Sequence, residues 1–405
     1  MTIFVEVSNT ISVPFVTGLQ RVARELVAAL PAALPGERIQ TVRWCPLISS
    51  YRSLTVDETD VLAGNVRTIE PQRWKRGVER VATKVASPLV GPRQRATMSV
   101  LAVTPGPHDL WLDLEAGWHD PRPRRELLPE LRSAGVSVAT VVADIFPITT
   151  PEWFTPTTVA SFSDYLEAQL HSSQRLLCIS RHTRATLLAH AASIGLPADD
   201  HSDVIRLGAD FAGSIPPLTA PSAARPADMS DLLMVATLEP RKNHALALDV
   251  FDRLRAAGHN VSLRLIGGRG WNVDDLVRRI GSHPELDRSL RWDDRVSDAE
   301  LDLAYRSAFL ALVPSFAEGF GAPVVEALGR GLPVISSTGG ALAEVGGSHV
   351  EYASPTSVDE WVTLIARHLD DPEHHRDAVD RTHSFTPATW ADSAADIATA
   401  LAPLL

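Results

Sequence analysis

The sequence contains little cysteine, and no cysteine–histidine pattern accompanies it. Only two of the 405 residues are cysteine, Cys45 and Cys178, and they cannot build a disulfide framework. No CxxC pair or Cys/His cluster has the spacing of zinc ligands, so we predict no metal site. This cysteine usage favours a reducing compartment, and we expect a cytoplasmic protein.

The chain also lacks an excess of positive charge and a long apolar run. Its formal net charge is -11 at pH 7, which argues against generic binding to nucleic acid. No window reaches the roughly 18 apolar residues that a membrane-spanning helix needs. The opening TIFVEV is strand-like and lacks the basic start of a signal peptide. Hydrophobic residues make up 45% and charged residues 21%, which is ordinary for a globular protein of about two domains.

Short apolar, β-rich runs alternate with helical patterns along most of the chain. We predict strands at 2–7, 109–114, 136–144, 175–180, 231–238, 261–267, 309–315 and 332–337. We predict helices at 17–30, 180–191, 243–257, 273–280, 298–307 and 323–330. This alternation indicates an α/β protein with parallel sheets that carry helices on both faces.

A stretch rich in Pro, Ala and Ser interrupts the alternation and divides the chain. We predict an N-terminal Rossmann-like domain at 1–212, a linker at 213–229, a C-terminal Rossmann-like domain at 230–385 and a terminal amphipathic segment at 386–405. Ligands of such sheets bind at the carboxyl ends of the strands, so the cleft between the two domains is the expected site.

Two glutamates flank a glycine-rich turn in the segment PSFAEGFGAPVVEALGRG. Glu318 lies in the turn and Glu326 near the start of the predicted helix, while Gly319 and Gly321 permit a sharp backbone turn. The free N–H groups at a helix N-terminus suit a phosphate. One carboxylate could then accept hydrogen bonds from ribose hydroxyls, and the other could hold the hydroxyls of a second ring. The alternative is an ordinary turn with solvent-facing acids.

The segment EPRKN places two adjacent cations after the predicted strand 231–238. Arg241 and Lys242 would therefore project at the same edge of the sheet as the two glutamates. Two neighbouring cations at a strand end can neutralise a diphosphate. The alternative is a solvated turn.

These segments resemble the retaining glycosyltransferases of family four. EGFGAPVVEA is similar to that family's E-x7-E signature, and VATLEPRKNHALALDVFDRL resembles its donor-phosphate segment. The resemblance covers most of 231–345 and continues more weakly through TGLQRVARELVAAL, VADIFPITTPEWF and LLCISRHTRATLL. TGLQRV and EPRKN together look most like the bacterial polysaccharide mannosyltransferases.

The resemblance implies a GT-B fold, in which two Rossmann-like domains face a central cleft and a C-terminal helix crosses back to the N-terminal domain. By the same match, Arg241 and Lys242 would hold the donor diphosphate, Glu326 the ribose, and Glu318 the transferred sugar. The further donor-binding residues that the match implies are Gly319, Phe320 and Gly321 in the glycine loop, Val296 near the base, and Gly18 near the phosphates.

Two positions depart from the family pattern. Ala236 and Thr237 stand where many members carry a Gly-Arg pair, so Arg241 would have to supply that charge. Ala143 stands where many members carry a histidine, and the neighbouring Asp144 is our candidate for the acceptor-side role. A strand-end cap is the alternative for Asp144. The catalytic candidates are thus Glu318, Asp144 and Lys242.

Two aromatic residues and a basic stretch are candidates for contact with the acceptor. Trp153 and Phe154 could stack on a sugar, although ordinary packing would use them as well. The stretch 71–95 contains seven Arg or Lys and one Glu, with Trp74 among the cations. It favours peripheral contact with an anionic membrane or with a lipid-diphosphate acceptor. An amphipathic helix that covers the N-terminal sheet is the alternative.

The resemblance predicts a retaining hexosyltransferase of cell-surface polysaccharide or glycoconjugate synthesis. It would move a sugar, with mannose favoured, from a nucleotide diphosphate to a glycan or lipid-linked saccharide. GDP-mannose is the favoured donor, and we expect neither a cofactor nor a metal, because cations of the protein can offset the leaving charge. The alternatives are transfer of rhamnose or another sugar, a nucleotide-sugar epimerase, and a nucleotide-sugar binder without turnover.

Overall fold

The computed structural model describes residues 1–12, 18–64, 96, 98–196, 198–210 and 229–405. The basic stretch 71–95 lies outside the described residues, as does the predicted linker except for its last residue. None of the helices in the described part of the chain is long and apolar enough to cross a lipid bilayer.

The N-terminal half forms a seven-stranded sheet with the order β3-β2-β1-β4-β5-β6-β7. Its strands are β1 (Thr2–Glu6), β2 (Arg38–Cys45), β3 (Ser50–Ser53), β4 (Leu110–Asp113), β5 (Ser137–Val142), β6 (Arg175–Cys178) and β7 (Ser202–Val204). All neighbouring strands are parallel except β3, which pairs antiparallel with β2 at the edge. The strand order reverses between β1 and β4.

The C-terminal half forms a second sheet of six parallel strands with the order β10-β9-β8-β11-β12-β13. Its strands are β8 (Ser230–Val235), β9 (Val261–Ile266), β10 (Leu290–Asp293), β11 (Leu310–Val313), β12 (Val334–Ser336) and β13 (Glu351–Tyr352). This is the doubly wound Rossmann order, and it reverses between β8 and β11.

Helices cover the faces of the two sheets. Those of the first half are α1 (Ser8–Ser12), α2 (Gly18–Ala33), α3 (Val56–Leu62), α4 (Arg124–Ser133), α5 (Phe146–Thr149), α6 (Pro156–Ser172) and α7 (Arg181–Ser193). Those of the second half are α8 (His244–Ala256), α9 (Asp274–Gly281), α10 (Asp298–Ser307), α11 (Ala322–Leu328), α12 (Leu342–Gly346), α13 (Val358–Asp370), α14 (Pro372–His383) and α15 (Trp390–Leu401). Each strand and helix predicted from periodicity has a counterpart whose ends differ by at most three residues.

The central strand β8 explains why continuous apolar runs predicted buried strands. Successive side chains of a strand point to opposite faces. Leu232 and Met234 accordingly pack into one core cluster of the second domain, while Leu233 packs into another. Because helices cover both faces, both sets of side chains must be apolar, and the strand shows no alternation.

The terminal helix α15 returns to the first domain and completes its core. Trp390, Ala394, Ile397 and Leu401 form one stripe at helical spacing and are buried in the cluster that also contains Leu26 and Leu30 of α2. A capping box at Thr389 starts the helix, and Trp390 Nε1 donates to the carbonyl oxygen of Asp210 at 2.8 Å. The two halves of the molecule are therefore joined by a packed helix.

Candidate active site

The two motifs predicted from the sequence meet at the point where the second sheet reverses its strand order. Loop 236–243 follows β8 and loop 314–321 follows β11, and these strands are neighbours. The backbone N–H of Phe316 donates to the carbonyl oxygen of Arg241 at 2.8 Å. Asn243 has a left-handed backbone and donates from Nδ2 to the carbonyl oxygen of Pro314 at 3.2 Å. The loops that follow the two strands are thus hydrogen-bonded to each other, which keeps their side chains close together.

Glu318 is the centre of a buried ion cluster. Its Oε1 accepts hydrogen bonds from Lys242 Nζ at 2.6 Å and from Ser315 Oγ at 2.7 Å. Its Oε2 accepts from Lys242 Nζ at 2.7 Å and from Arg241 at 2.8 Å. Arg241 also donates to Glu239 Oε1 at 2.5 Å and to the carbonyl oxygen of Ala317 at 2.6 Å. Three of the predicted site residues therefore bind one another directly.

The cluster keeps Glu318 and Arg241 ionised. Burial raises the pKa of Glu318, but Lys242 and Arg241 outweigh this effect and lower that pKa to about 2. Burial acts to lower the pKa of Arg241, yet Glu318, Glu239 and Asp144 together raise it above its usual value. The site therefore holds its own cations and anions at close range in a dry environment, where their interactions are strong.

Asp144 lies beside this cluster, on the loop that follows β5 of the first domain. Its Oδ1 accepts from the backbone N–H of Phe146 at 3.2 Å, as the strand-end cap interpretation requires. Burial raises the pKa of Asp144, while the charge of Arg241 opposes that rise. The guanidinium of Arg241 also lies 5.1 Å from the ring centre of Phe146. Asp144 thus caps a turn and, in addition, lies in the electrostatic environment of Arg241 and Lys242.

Glycines in loop 318–321 allow this close arrangement. A Cβ atom at Gly319 would lie 2.3 Å from the carbonyl oxygen of Ala143, so only glycine lets the loops of the two domains touch here. Gly321 has a φ of +102°, a conformation that other residues rarely adopt, and it forms the N-cap of α11. The Gly319 carbonyl oxygen accepts from Ser180 Oγ at 2.7 Å and from Thr183 Oγ1 at 3.2 Å.

Glu326 forms a separate cluster on α11. Its Oε2 accepts from the hydroxyl of Tyr305 at 2.8 Å, and its Oε1 accepts from Arg21 of the first domain at 3.1 Å. Arg21 also lies 3.7 Å from a carboxylate oxygen of Asp298. The hydrogen bonds of Glu326 therefore go to Tyr305 and Arg21, and not to the cluster around Glu318.

Contacts between the domains continue away from the acids. The backbone N–H groups of Arg181 and His182, in the first turn of α7, donate to the carboxylate of Glu344 at 2.9 and 3.0 Å. A carboxylate from the second domain thus binds the positive end of a helix in the first domain.

The aromatic candidates lie within these contacts between the domains. Trp153 stacks on Phe316 with ring centres 6.1 Å apart, and Phe154 stacks on Trp271 at 5.8 Å. The indole N–H of Trp271 donates to the carbonyl oxygen of Trp153 at 2.8 Å. Trp153 and Phe154 thus contact the second domain through their rings, as the alternative of ordinary packing expects, and their contact with an acceptor stays a prediction.

The remaining donor-site candidates lie at three different places. Phe320 packs against the core of the first domain, which makes it part of the contact between the domains. Val296 is half-buried against the core of the second domain. Gly18 is exposed at the first residue of α2, and a Cβ built there has no atom within 4 Å among the described residues outside its chain neighbours and its own helix.

The space at the strand ends is small in this arrangement. Among the described residues, the depression between β8 and β11 is lined by Val235, Ala236, Ser315 and Glu318 of the second domain, and it has no enclosed space for a water molecule. A ligand that binds at this point therefore requires the lining side chains to move.

Sequence reasoning missed four residues that contact the predicted site residues. Tyr305, Arg21, Glu239 and Ser315 all contact a predicted site residue directly. Arg21 lies within the segment TGLQRV, Glu239 is the first residue of EPRKN, and Ser315 is the second residue of the segment PSFAEGFGAPVVEALGRG. Tyr305 lies on α10 and carries no local signal, because only packing brings it to Glu326.

This chain is similar in sequence to known proteins. The sequence profile of the family described as "Glycosyl transferases group 1" matches residues 220–384, which include both motifs. The serotype-specific mannosyltransferase WbdA of Escherichia coli is 28% identical over 403 residues, which are 93% of this chain and 43% of WbdA. The O-antigen chain mannosyltransferase B of Escherichia coli is 29% identical over 236 residues, which are 57% of this chain and 61% of that protein. This chain therefore spans less than half the length of WbdA.

A solved structure supports the fold as a whole. Anabaena HepE in complex with UDP and glucose aligns with a TM-score of 0.58 at 16% identity, over 98% of this chain and 95% of HepE. The fold is therefore GT-B, as the sequence predicted, with two Rossmann-like domains that face each other.

Proposed function

Because this chain carries a glycosyl transferases group 1 domain, we propose that it transfers a mannosyl group from a nucleotide diphosphate to a glycan or lipid-linked saccharide acceptor. Transfer proceeds with retention of configuration at the anomeric carbon and serves the synthesis of a surface polysaccharide or glycoconjugate. The names of WbdA and of the O-antigen chain mannosyltransferase support mannose and a polysaccharide product. GDP-mannose is the proposed donor.

One observation carries this proposal. Arg241 and Lys242 meet Glu318 at the strand-order reversal of the second sheet, at hydrogen-bond distances of 2.6–2.8 Å. Open α/β sheets bind their ligands at this position. Two cations that face one acid at such a position form a site for a ligand that carries both phosphates and hydroxyls.

Glu318 and the donor diphosphate compete for the same cations in this scheme. When the donor enters, its phosphates bind Arg241 and Lys242, and the carboxylate of Glu318 turns to hydroxyls of the transferred sugar. Glu326 accepts from the ribose hydroxyls, while Tyr305 keeps its carboxylate in place. The backbone near Val296 contacts the base, and Gly18 approaches the phosphates.

The chemical step separates charge at the diphosphate. The bond between the anomeric carbon and the phosphate oxygen breaks, and the acceptor oxygen bonds to the same face of the sugar. The proton of the acceptor hydroxyl passes to the departing phosphate oxygen, so the step needs no separate base. Arg241 and Lys242 stabilise the negative charge that develops, and groups fixed in this way are typically worth about 3–4 kcal/mol each.

The short helix behind the glycine loop adds little to this stabilisation. Helix α11 has seven residues, from Ala322 to Leu328, and so carries only a small dipole. We therefore assign the stabilisation of the leaving group's negative charge to the two cations rather than to the helix. Asp144, Trp153 and Phe154 face the leaving group from the first domain, where the acceptor binds.

Release of nucleoside diphosphate tests the proposal. We expect purified protein to release GDP from GDP-mannose only when a mannan or lipid-linked saccharide acceptor is present. An epimerase would convert the donor without acceptor, and a binder without turnover would release nothing. Release from UDP- or dTDP-sugars instead would keep the transferase and overturn the mannosyl donor.

Lys242→Ala provides the matched test of the site. We expect it to lower transfer by about 100-fold or more, because it removes a cation from the leaving group. Arg278→Ala is the control, since Arg278 is an exposed cation of the same domain that pairs with Asp275 on α9. Full activity of folded Lys242→Ala would contradict the assignment.

A further inference from the structure

A group of metal-ligand side chains lies at the outer edge of the second sheet, away from the cleft. Glu351 is on the edge strand β13, His368 on α13 and His374 on α14. One ligand atom from each residue lies within 4.8 Å of the other two. Strand β13 is two strands away from β11, so this group is separate from the site at the strand-order reversal.

Two distances within this group are close to those between ligands of one zinc ion. Glu351 Oε1 lies 3.4 Å from Nε2 of His368 and 3.2 Å from Nε2 of His374. Zinc binds imidazole nitrogen and carboxylate oxygen at about 2.0–2.2 Å, so tetrahedral ligand atoms lie roughly 3.3–3.5 Å apart. The ligand atoms of the two histidines lie within 4.8 Å of each other, so the imidazoles would approach each other when one ion binds.

Two buried nitrogen atoms in this group lack hydrogen-bond partners. Nε2 of His368 and Nε2 of His374 are both buried without a hydrogen bond, and the side chain of His368 is only 1% exposed. A buried polar atom without a partner is costly and calls for an explanation. The contacts with Glu351 Oε1, at 3.4 and 3.2 Å, are ion-pair distances that lack the geometry of a good hydrogen bond, so an ion pair satisfies these nitrogen atoms only in part.

The surroundings prepare His368 to act as a ligand. Its Nδ1 lies 3.2 Å from Nδ1 of His375, and that ring is held by stacking on Phe309 at 4.0 Å. If Nδ1 of His368 donates this bond, its Nε2 carries the lone pair that points into the group. Ligand histidines typically donate their other ring N–H in this way, which fixes the tautomer.

Arg381 supports the carboxylate. It donates to Glu351 Oε1 at 2.8 Å, and this oxygen has a second lone pair to offer. The side chain of Arg381 is 38% exposed, so it can move when a cation binds beside it.

We propose that Glu351, His368 and His374 form a binding site for a divalent transition metal, with Zn²⁺ as the ion that fits best. Two imidazoles and one carboxylate are ligands that Zn²⁺ accepts, and a water molecule completes the tetrahedron. The ligands come from three elements, so the ion cross-links β13, α13 and α14 and stabilises the folded state by mass action. This site departs from the sequence prediction of no metal.

Metal titration of the full chain, prepared without a histidine tag and stripped with a chelator, tests this site. We expect one equivalent of Zn²⁺ per chain by elemental analysis and a rise in Tm. We also expect Co²⁺ to give the intense visible absorption bands of a tetrahedral complex. Uptake well below one equivalent, together with an unchanged Tm, would overturn the proposal.

His374→Gln is the variant and His383→Gln its matched control. Both residues lie on α14, but His383 is 68% exposed and pairs only with Asp380. We expect His374→Gln to weaken Zn²⁺ binding by about 100-fold or more and to abolish the Co²⁺ bands, whereas His383→Gln retains both. Equal binding by the two variants would locate the ion elsewhere and refute the site. If His374→Gln does not fold, Glu351→Gln provides the same comparison.

Discussion

At the scale of single residues, the candidate site depends on oppositely charged side chains that are paired with each other. Glu318 accepts four hydrogen bonds from Lys242, Arg241 and Ser315. Removing one partner of such a buried group leaves the others uncompensated, which costs more than the intact pair contributes. Substitutions here consequently change both stability and binding, so each needs a measurement that separates the two.

Glu318→Gln should alter how stability depends on pH. Burial raises the pKa of Glu318, but Lys242 and Arg241 outweigh it and lower the pKa to about 2, from an ordinary 4.5. A carboxyl group with a depressed pKa stabilises the fold above its unfolded pKa and loses that effect as pH falls through its folded pKa. The contribution above pH 5 is on the order of 3 kcal/mol.

We therefore expect the Tm difference between wild type and Glu318→Gln to be largest above pH 5 and to shrink from pH 4.5 towards pH 2. Thermal unfolding in a pH series measures this. Glu167→Gln, at an exposed position on α6, is the control and should show no such trend. A difference that stays constant with pH would show that Lys242 and Arg241 do not hold Glu318 ionised.

Tyr305→Phe tests the positioning of Glu326. Phenylalanine keeps the buried ring but removes the hydroxyl that donates to Glu326 Oε2 at 2.8 Å. A hydrogen bond to a charged group is worth about 1.5–3 kcal/mol, so we expect the donor KM to rise about tenfold or more. Tyr352→Phe is the control, since its hydroxyl donates to Gly347 away from the cleft. An unchanged donor KM in Tyr305→Phe would contradict the ribose role of Glu326.

At the scale of elements, the strand ends position the candidate site, whereas the returning helix stabilises the first domain. The strand ends of β8 and β11 bring the two motifs together, and α15 closes the core of the first domain. The helix has no residue among those that contact the two acids. Its loss should therefore reduce folding rather than directly remove a catalytic contact.

Leu401→Ala measures what α15 contributes. Leu401 is fully buried in the core of the first domain, and removing such a side chain costs about 2–5 kcal/mol. We expect the free energy of unfolding to fall by that amount in denaturant titration. Leu405→Ala is the control, because Leu405 is 44% exposed and should change stability by less than about 0.5 kcal/mol. Equal effects would mean that the helix is not packed as described.

At the scale of the whole molecule, the two domains touch through the loops that carry the site. Gly319 contacts the first domain, Glu326 binds Arg21, and Glu344 binds the first turn of α7. Under the proposed function, donor entry and product release require these contacts to break and re-form, as in enzymes whose domains close over a substrate.

Gly319→Ala should oppose closure of the domains. A Cβ atom at this position would lie 2.3 Å from the carbonyl oxygen of Ala143, so the loops must move apart. We expect kcat to fall at least about tenfold, while GDP still raises Tm by binding the second domain alone. Gly36→Ala is the control, because a Cβ there meets no atom within 4 Å. Wild-type kcat in Gly319→Ala would show that close contact of these loops is not needed for turnover.

Much of the fold could be predicted because its signals are local. Strand β8 and helix α10 follow from runs of apolar residues and from helical periodicity. Strands β2, β3, β7, β10 and β13 were not predicted. Four of them have four residues or fewer, and β2 buries only two of its eight residues, so none contains a long apolar run. The helices that were not predicted are α1, α3, α4, α5, α6, α12, α13 and α14. Four of these have seven residues or fewer, and α14 is mostly polar with two buried side chains.

The amino-acid sequence by itself determined the two doubly wound domains and the presence of Arg241, Lys242, Glu318 and Glu326 near strand ends. Hydrophobic periodicity and the placement of glycine are properties of a few neighbouring residues, so they can be recognised in the sequence. Only the tertiary structure decided which groups bind each other. Glu318 pairs with Lys242, Glu326 with Arg21 of the other domain, and Glu351 lies beside two histidines. Such partners are distant in the chain, and hydrogen bonds and ion pairs form only where packing brings atoms within about 3–4 Å.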